Sequence, residues 1–200
     1  MDEWLESLGD DPLVVLGSWL EEARAAGLHE PEAAALATAT LDGVPSVRMV
    51  LVRGIDEQGL RFYTNYESRK AAELGLNSVA AVVFHWQPPL ERQVRAEGRV
   101  ERLPEDDSLA YFHGRPRQSR LGAWASPQSR PLADREELDR AYREVEERFG
   151  DGDIPLPPHW GGYRLIPHAM ELWQGRRNRL HDRARFDRAD LVWSRVRLAP

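Results

Sequence analysis

The Asp42-Gly43 pair, set between residues 33–41 and 44–52, constrains the fold of this chain more than any other short segment. Asp-Gly favours the left-handed backbone positions that a tight hairpin turn requires. Residues 33–41 are ambiguous alone, but this turn predicts that they pair antiparallel with 44–52. A third strand is expected at 60–64, after the Glu57-Gln58-Gly59 turn. Residues 79–86 form an apolar run bounded by Pro88-Pro89 and read as a buried central strand. Residues 93–103 set Val94, Ala96, Gly98 and Val100 against charged neighbours, the pattern of a half-exposed strand. Helices are predicted at 12–27 (Leu13, Leu16, Leu20 and Ala23 on one stripe), from a Ser68 cap to about Leu76, from Pro104 to about Phe112, and at 135–149. Beyond a proline-rich link at 154–158, strands are expected at 162–166, 170–174, 183–186 and 192–198. Hairpin-linked strands with helices inserted between them imply a mainly antiparallel β protein with peripheral helices, a sheet or barrel, in one domain over 1–200. No βαβ series, GxGxxG or GxxxxGK segment is present, which argues against a Rossmann or P-loop nucleotide site.

Composition narrows the chemistry. The chain is 42% hydrophobic and 30% charged, as in soluble globular proteins. It has no membrane-length apolar run and no signal-peptide start, so a cytoplasmic location is expected. With no cysteine, thiol nucleophiles, disulfides and thiolate metal sites are excluded. The six histidines show no HExxH-like spacing and no GxSxG element occurs, so neither a metal centre nor a serine hydrolase is expected. Redox chemistry would therefore need an organic cofactor. The net charge of -6 argues against a general nucleic-acid binder. Arginine nevertheless gathers at 48–53, 92–102, 115–120 and 176–188, a distribution suited to a small anionic ligand.

Four basic elements call for a partner. Arg48 interrupts an apolar strand, where an unpaired guanidinium is costly. Ser68-Arg69-Lys70 opens a helix, either as a simple cap or as a phosphate site. Of 27 basic residues only Lys70 is lysine, a point charge among planar forks, although a coding bias alone would also leave few lysines. Tyr111, Arg115 and Ser119 offer phenol, guanidinium and hydroxyl donors for a second anion, or form a loop packed on its own helix. In the fourth, strand periodicity puts Arg179, His181 and Arg183 on one face after Trp173. A solvated edge strand would look similar. The tryptophan beside the cationic row favours a pocket for a phosphorylated ring.

Taken in order, Arg48-Met49-Val50-Leu51, Phe62-Tyr63-Thr64-Asn65, Ser68-Arg69-Lys70, Glu91-Arg92-Gln93-Val94, Tyr111-Phe112-His113, Arg115-Pro116-Arg117, Gln128-Ser129, Trp160-Gly161-Gly162, Arg179-Leu180-His181-Asp182-Arg183 and the terminal Arg197-Leu198-Ala199-Pro200 resemble the pyridoxamine 5'-phosphate oxidase family. The resemblance implies an FMN-binding split barrel and a homodimer with active sites built from both subunits. The seven tryptophans, a large load for one monomer to enclose, point the same way. By the same resemblance Arg48, Met49, Val50, Leu51, Tyr63, Thr64, Arg69, Lys70, Gln93, Gln128, Ser129, Trp173 and Arg183 hold FMN, with Arg69 and Lys70 at its phosphate. Tyr111, Arg115 and Ser119 hold the substrate phosphate, and Arg179 and His181 flank the substrate ring as catalytic residues.

The implied reaction transfers hydride from C4' of pyridoxamine or pyridoxine 5'-phosphate to the flavin, which dioxygen reoxidises with release of hydrogen peroxide. The imine from the amine substrate hydrolyses to pyridoxal 5'-phosphate and ammonia, a step of vitamin B6 biosynthesis and salvage. Two departures from the family pattern bear on the substrate. Arg53 replaces a lysine that contacts the substrate phosphate, and 84–89 is longer than usual and lacks the proline after Phe84. Two rivals follow: an FMN oxidase of another ring compound, as in phenazine biosynthesis, and a non-catalytic flavin or pyridoxal-phosphate carrier.

Overall fold

The computed structural model of the protein describes residues 2–200. Two helices, α1 (Glu3–Ser7) and α2 (Pro12–Ala25), precede the hairpin β1 (Ala33–Ala39) and β2 (Pro45–Asp56), followed by β3 (Gly59–Asn65) and α3 (Arg69–Leu76). Then come β4 (Val79–Trp86), β5 (Arg92–Arg102), α4 (Glu105–His113), α5 (Arg117–Ala125) and α6 (Arg135–Phe149). The chain ends with β6 (Trp160–Gln174), a 3-10 turn at Arg177–Arg179, β7 (Asp182–Ala189) and β8 (Val192–Arg197).

The strands form one antiparallel sheet in the order β3-β2-β1-β4-β5-β6-β7-β8, and β3 also pairs with β6. That last pairing closes six strands into a barrel and leaves β7 and β8 as an extension. The expected split barrel with peripheral helices is therefore what this sequence makes. Inside it, Leu36, Phe62, Phe84, Val94, Leu165 and Leu172 are all at most 2% exposed. Each contributes roughly 1.5–3 kcal/mol by burial. Asp11 caps α2 through the Leu13 N–H (2.8 Å), and Leu13, Leu16, Trp19, Leu20 and Ala23 form its buried stripe. Helices α4 to α6 gather around a second cluster of Phe112, Leu121, Ile154 and Trp160.

Four expectations change. The two strands expected at 162–166 and 170–174 are one, β6, because a bulge at Glu97/Gly98 absorbs the irregularity at Pro167. Gly98 makes this possible, since a Cβ there would stand 2.0 Å from the Ile166 carbonyl oxygen. Ser119 lies on α5 rather than in a loop. Ser68 sits at the N-cap of α3 but makes no capping bond; its hydroxyl donates to the Asn65 carbonyl (2.7 Å). Finally, Arg179 and His181 precede β7, so Arg179, His181 and Arg183 do not form a row on one strand face. Asn178 and Arg179 have positive φ, and that turn breaks the alternation. Trp19, Trp86 and Trp160 are buried and the other four tryptophans half-buried, so the tryptophan count by itself demands no partner.

Candidate active site

Lys70, in the first turn of α3, is 7% exposed. Its Nζ donates to Gln128 Oε1 (2.7 Å), Thr64 Oγ1 (2.9 Å) and Ser68 Oγ (3.2 Å). Among the described residues no carboxylate pairs with it. Burial, with the charge of Arg48 adding, pushes its pKa down to about 8. An ammonium held only by neutral oxygens is the arrangement expected where an anion completes the site.

The neighbouring cations are organised by Glu73, one turn further along α3 and 5% exposed. Arg48 reaches it at 3.4 Å while also donating to the Leu36 carbonyl (3.1 Å) and Thr38 Oγ1 (2.6 Å). Arg69 Nε donates to the same carboxylate (2.9 Å) from a largely exposed position. Burial alone would raise the Glu73 pKa, but the hydroxyls of Ser46 and Thr38 and the Arg69 guanidinium outweigh it and hold the group at about 2. The partner that Arg48 needed is thus internal. Sequence reasoning missed Glu73, although its i,i+4 spacing from Arg69 was a usable signal.

Thr64 and Gln128 form the wall between Lys70 and a cleft of about 420 Å³, which Leu51, Arg53, Tyr63, Tyr111, Arg115, Ser119 and Trp160 also line. Tyr63 stacks on Tyr111 (3.8 Å between centroids, 12° between planes) and on Trp160 (5.7 Å, 11°). Gly162 leaves room for this stack, as a Cβ there would meet the Tyr63 ring at 2.8 Å. Arg115 lies over Trp160 (4.7 Å), and its Nη1 is buried without a hydrogen-bond partner among the described residues. Burial, chiefly, and the charge of Arg53 lower the Arg115 pKa. Arg53 is exposed and occupies the β2 bulge between Val52 and Gly54, a device that re-aims a side chain. Met49 lies outside the cleft, facing outward with Val47, each more than 60% exposed. Val50 faces the opposite way, packed against the core, and Ser129 is exposed with φ of 70°.

The remaining predicted residues sit elsewhere. Gln93 and Arg183 flank Trp173 as its cross-strand partners on β5 and β7. The His181 ring lies 4.6 Å from that of Trp173. Its Nδ1 accepts the Arg176 N–H (3.1 Å), which assigns the ring proton to Nε2. Arg183 makes a two-pronged pair with Glu171 (3.0 Å for both bonds), which raises its pKa, and donates to the Ala199 carbonyl (2.8 Å). Arg179 is exposed at the loop tip. Trp160 and Trp173 lie 13 residues apart on β6, about 40 Å of extended strand. The protomer therefore holds two separate clusters of predicted residues, one around the Lys70 cleft and one around Trp173. A groove of about 650 Å³ between α1, α2 and the strand ends is larger, but Arg92 and Arg176 there are already paired with Glu22 and Asp182.

These features define a split-barrel protein with a buried lysine held by neutral oxygens beside an aromatic cleft. Residues 20–149 match the family described as pyridoxamine 5'-phosphate oxidase, and residues 160–200 match the pyridoxine 5'-phosphate oxidase C-terminal dimerisation region. The chain belongs to the pyridoxamine 5'-phosphate oxidase family. It is 54% identical over 194 residues to a pyridoxine/pyridoxamine 5'-phosphate oxidase of Salinibacter ruber, covering 96% of this chain and 90% of the relative. A Rubrobacter xylanophilus protein of the same name is 55% identical over 190 residues (95% and 87%). Among solved structures, PhzG from Burkholderia lata, in complex with tetrahydrophenazine-1-carboxylic acid, superposes with a TM-score of 0.92 at 35% identity, over 98% of this chain and 96% of that one. Among the described residues no helix is long and apolar enough to cross a membrane, and no cluster of metal-binding side chains occurs.

Proposed function

We propose that the protein oxidises pyridoxamine 5'-phosphate and pyridoxine 5'-phosphate to pyridoxal 5'-phosphate, using FMN and dioxygen and releasing hydrogen peroxide, with ammonia from the amine. The observation that carries this reading is the pair of separate cationic centres, Arg115 lining the cleft and Lys70 directly behind its Thr64–Gln128 wall. Two phosphorylated rings meeting there need two phosphate sites. The buried, carboxylate-free Lys70 fits the cofactor phosphate, supported by Arg69 and Arg48. The orphaned Arg115 nitrogen, with Tyr111, Ser119 and Arg53, fits the substrate phosphate.

When bound, FMN supplies the two-electron acceptor that dioxygen regenerates. The chain's own part is to fix both rings and to exclude water between them. Tyr63, Thr64, Gln128, Ser129, Arg48, Leu51 and the backbone of Met49 and Val50 form the cofactor wall on one side. Gln93, Trp173 and Arg183 form it on the other. Arg179 orients the substrate and stabilises developing charge. His181, with its proton on Nε2, can donate to the ring substituent. Because the half-sites lie far apart along β6, a complete site needs two protomers in a two-fold dimer. The match to a dimerisation region and the outward Val47 and Met49 support that assembly.

The likeness to PhzG raises phenazine-type oxidation as the rival reading. Identity of 50–55% to oxidases named for the vitamin B6 substrates, against 35% to PhzG, favours the former. The deciding experiment incubates purified, FMN-loaded protein with pyridoxine 5'-phosphate and follows the aldehyde and peroxide. Stoichiometric formation of both is expected, and a yellow protein producing neither would sink the proposal. Arg53 tests the substrate side. Arg53→Ala should raise KM about tenfold or more, the size of a lost charge-assisted bond, while Arg53→Lys stays within about threefold. Steady-state kinetics on both variants checks this, and an unchanged KM for Arg53→Ala would remove the residue from the site.

A further inference from the structure

The loop between β6 and β7 carries Arg179 and His181 on a strained backbone. Asn178 and Arg179 have φ of 59° and 61°. Asparagine tolerates that conformation, but an arginine there persists only where its surroundings over-determine it. The Gly175 N–H is tied to the Glu91 carbonyl (2.7 Å), and the Leu180 N–H to that of Arg177 (3.2 Å). The Arg176 N–H reaches back to His181 Nδ1, closing the loop on itself. Arg176 is in turn held through its side chain, with Nε donating to Asp182 Oδ2 at 2.5 Å. Asp182 is 8% exposed, and its other oxygen accepts from Arg197 of β8. Arg197 also pairs with Asp2 (2.5 Å) and lies over the Trp4 ring (5.5 Å).

We infer that Asp182 is a positioning residue, anchoring Arg176 so that its backbone N–H holds His181 in one tautomer and Arg179 in its outward pose. Through Arg197 the same carboxylate ties the loop to the N-terminal helix. A nearly buried carboxylate shared by two guanidiniums suits such a hub, because removing it takes a partner from the loop arginine and the β8 arginine at once. Asp182 contacts neither the ring stack nor Lys70, so its effect on chemistry passes through the loop. The kinetic consequence rests on the roles proposed above for Arg179 and His181, whereas the structural one does not.

The test compares FMN-loaded Asp182→Asn, Arg176→Met, Arg176→Lys and the Asp182→Asn/Arg176→Met double variant with the parent. Nitrogen NMR of the His181 ring should show an unprotonated Nδ1 in the parent and a tautomer mixture in Asp182→Asn and Arg176→Met. The kcat/KM for pyridoxine 5'-phosphate should fall about tenfold in each of these, no further in the double variant, and recover in Arg176→Lys. FMN affinity should stay within about twofold throughout. An unchanged His181 ring would overturn the inference. So would activity lost only in step with FMN and melting temperature, which marks a general structural role. A parent that does not oxidise this substrate would instead refute the proposed function and leave the NMR result to decide the inference. Arg176 is half-exposed, so its variants report even if Asp182→Asn fails to fold.

Discussion

Replacing Lys70 by alanine is expected to weaken FMN binding about 10- to 150-fold, the loss of a charge-assisted contact worth roughly 1.5–3 kcal/mol. The burial that makes this lysine selective for an anion also makes its charge conditional. Its pKa in the apoprotein is pushed down to about 8, from an ordinary 10.5. A bound phosphate stabilises the ammonium, so FMN binding should take up a proton near pH 8. Affinity should then fall as pH rises beyond that point. The stability of the apoprotein runs the other way. With the folded pKa below the unfolded one, the charged lysine opposes folding below about pH 8, and that opposition fades between 8 and 10.5. Fluorescence titration of apoprotein with FMN from pH 6.5 to 10, with melting curves of the apoprotein over the same range, checks both signs. A flat affinity profile, or full affinity in Lys70→Ala, would place the cofactor phosphate elsewhere.

Arg179→Ala should lower kcat/KM for pyridoxine 5'-phosphate by about 10² and leave the flavin spectrum unchanged, because misplacing the reacting ring by about 1 Å is that costly. Arg183→Ala should instead release FMN and destabilise the fold, since it strands the buried Glu171 carboxylate with only Arg95 at 3.6 Å. Should Arg179→Ala bleach the protein and Arg183→Ala spare it, the two roles are exchanged. Mixing Lys70→Ala with Arg179→Ala protomers gives a further check. A mixed dimer contains one intact site, so random exchange should restore about a quarter of full activity. No recovery under conditions of proven exchange would mean that both half-sites belong to one protomer.

The barrel was legible where turn chemistry is local. Asp42-Gly43 dictated the first hairpin, and the apolar run at 79–86 lies in the middle of the sheet as expected. Helix α5 was not legible, because only Leu121 and Ala125 of its nine residues are buried and it follows a proline. The Arg179–Arg183 segment misled for a different reason. A count of alternating positions cannot register two left-handed residues that turn the chain before the strand begins. The residue types around both half-sites were visible through the family resemblance. The carboxylates that organise them were not read, although Glu73 stands four residues after Arg69, the spacing of a helical ion pair. Glu171 did leave a trace, an acid within the apolar stretch Ala169 to Trp173.

Strand β6 begins at the floor of one half-site and ends at the wall of the other, paired with β5 along its length and with β3 and β7 at its two ends. In a dimer that shares its sites, it acts as a beam whose ends belong to two different catalytic chambers. Its length is therefore a gauge. An extra residue within it would flip the side chains beyond the insertion to the opposite face and shift Trp173 by about 3 Å. The spacing between Trp160 and Trp173 should tolerate far less drift in length over evolution than the connection between α6 and β6.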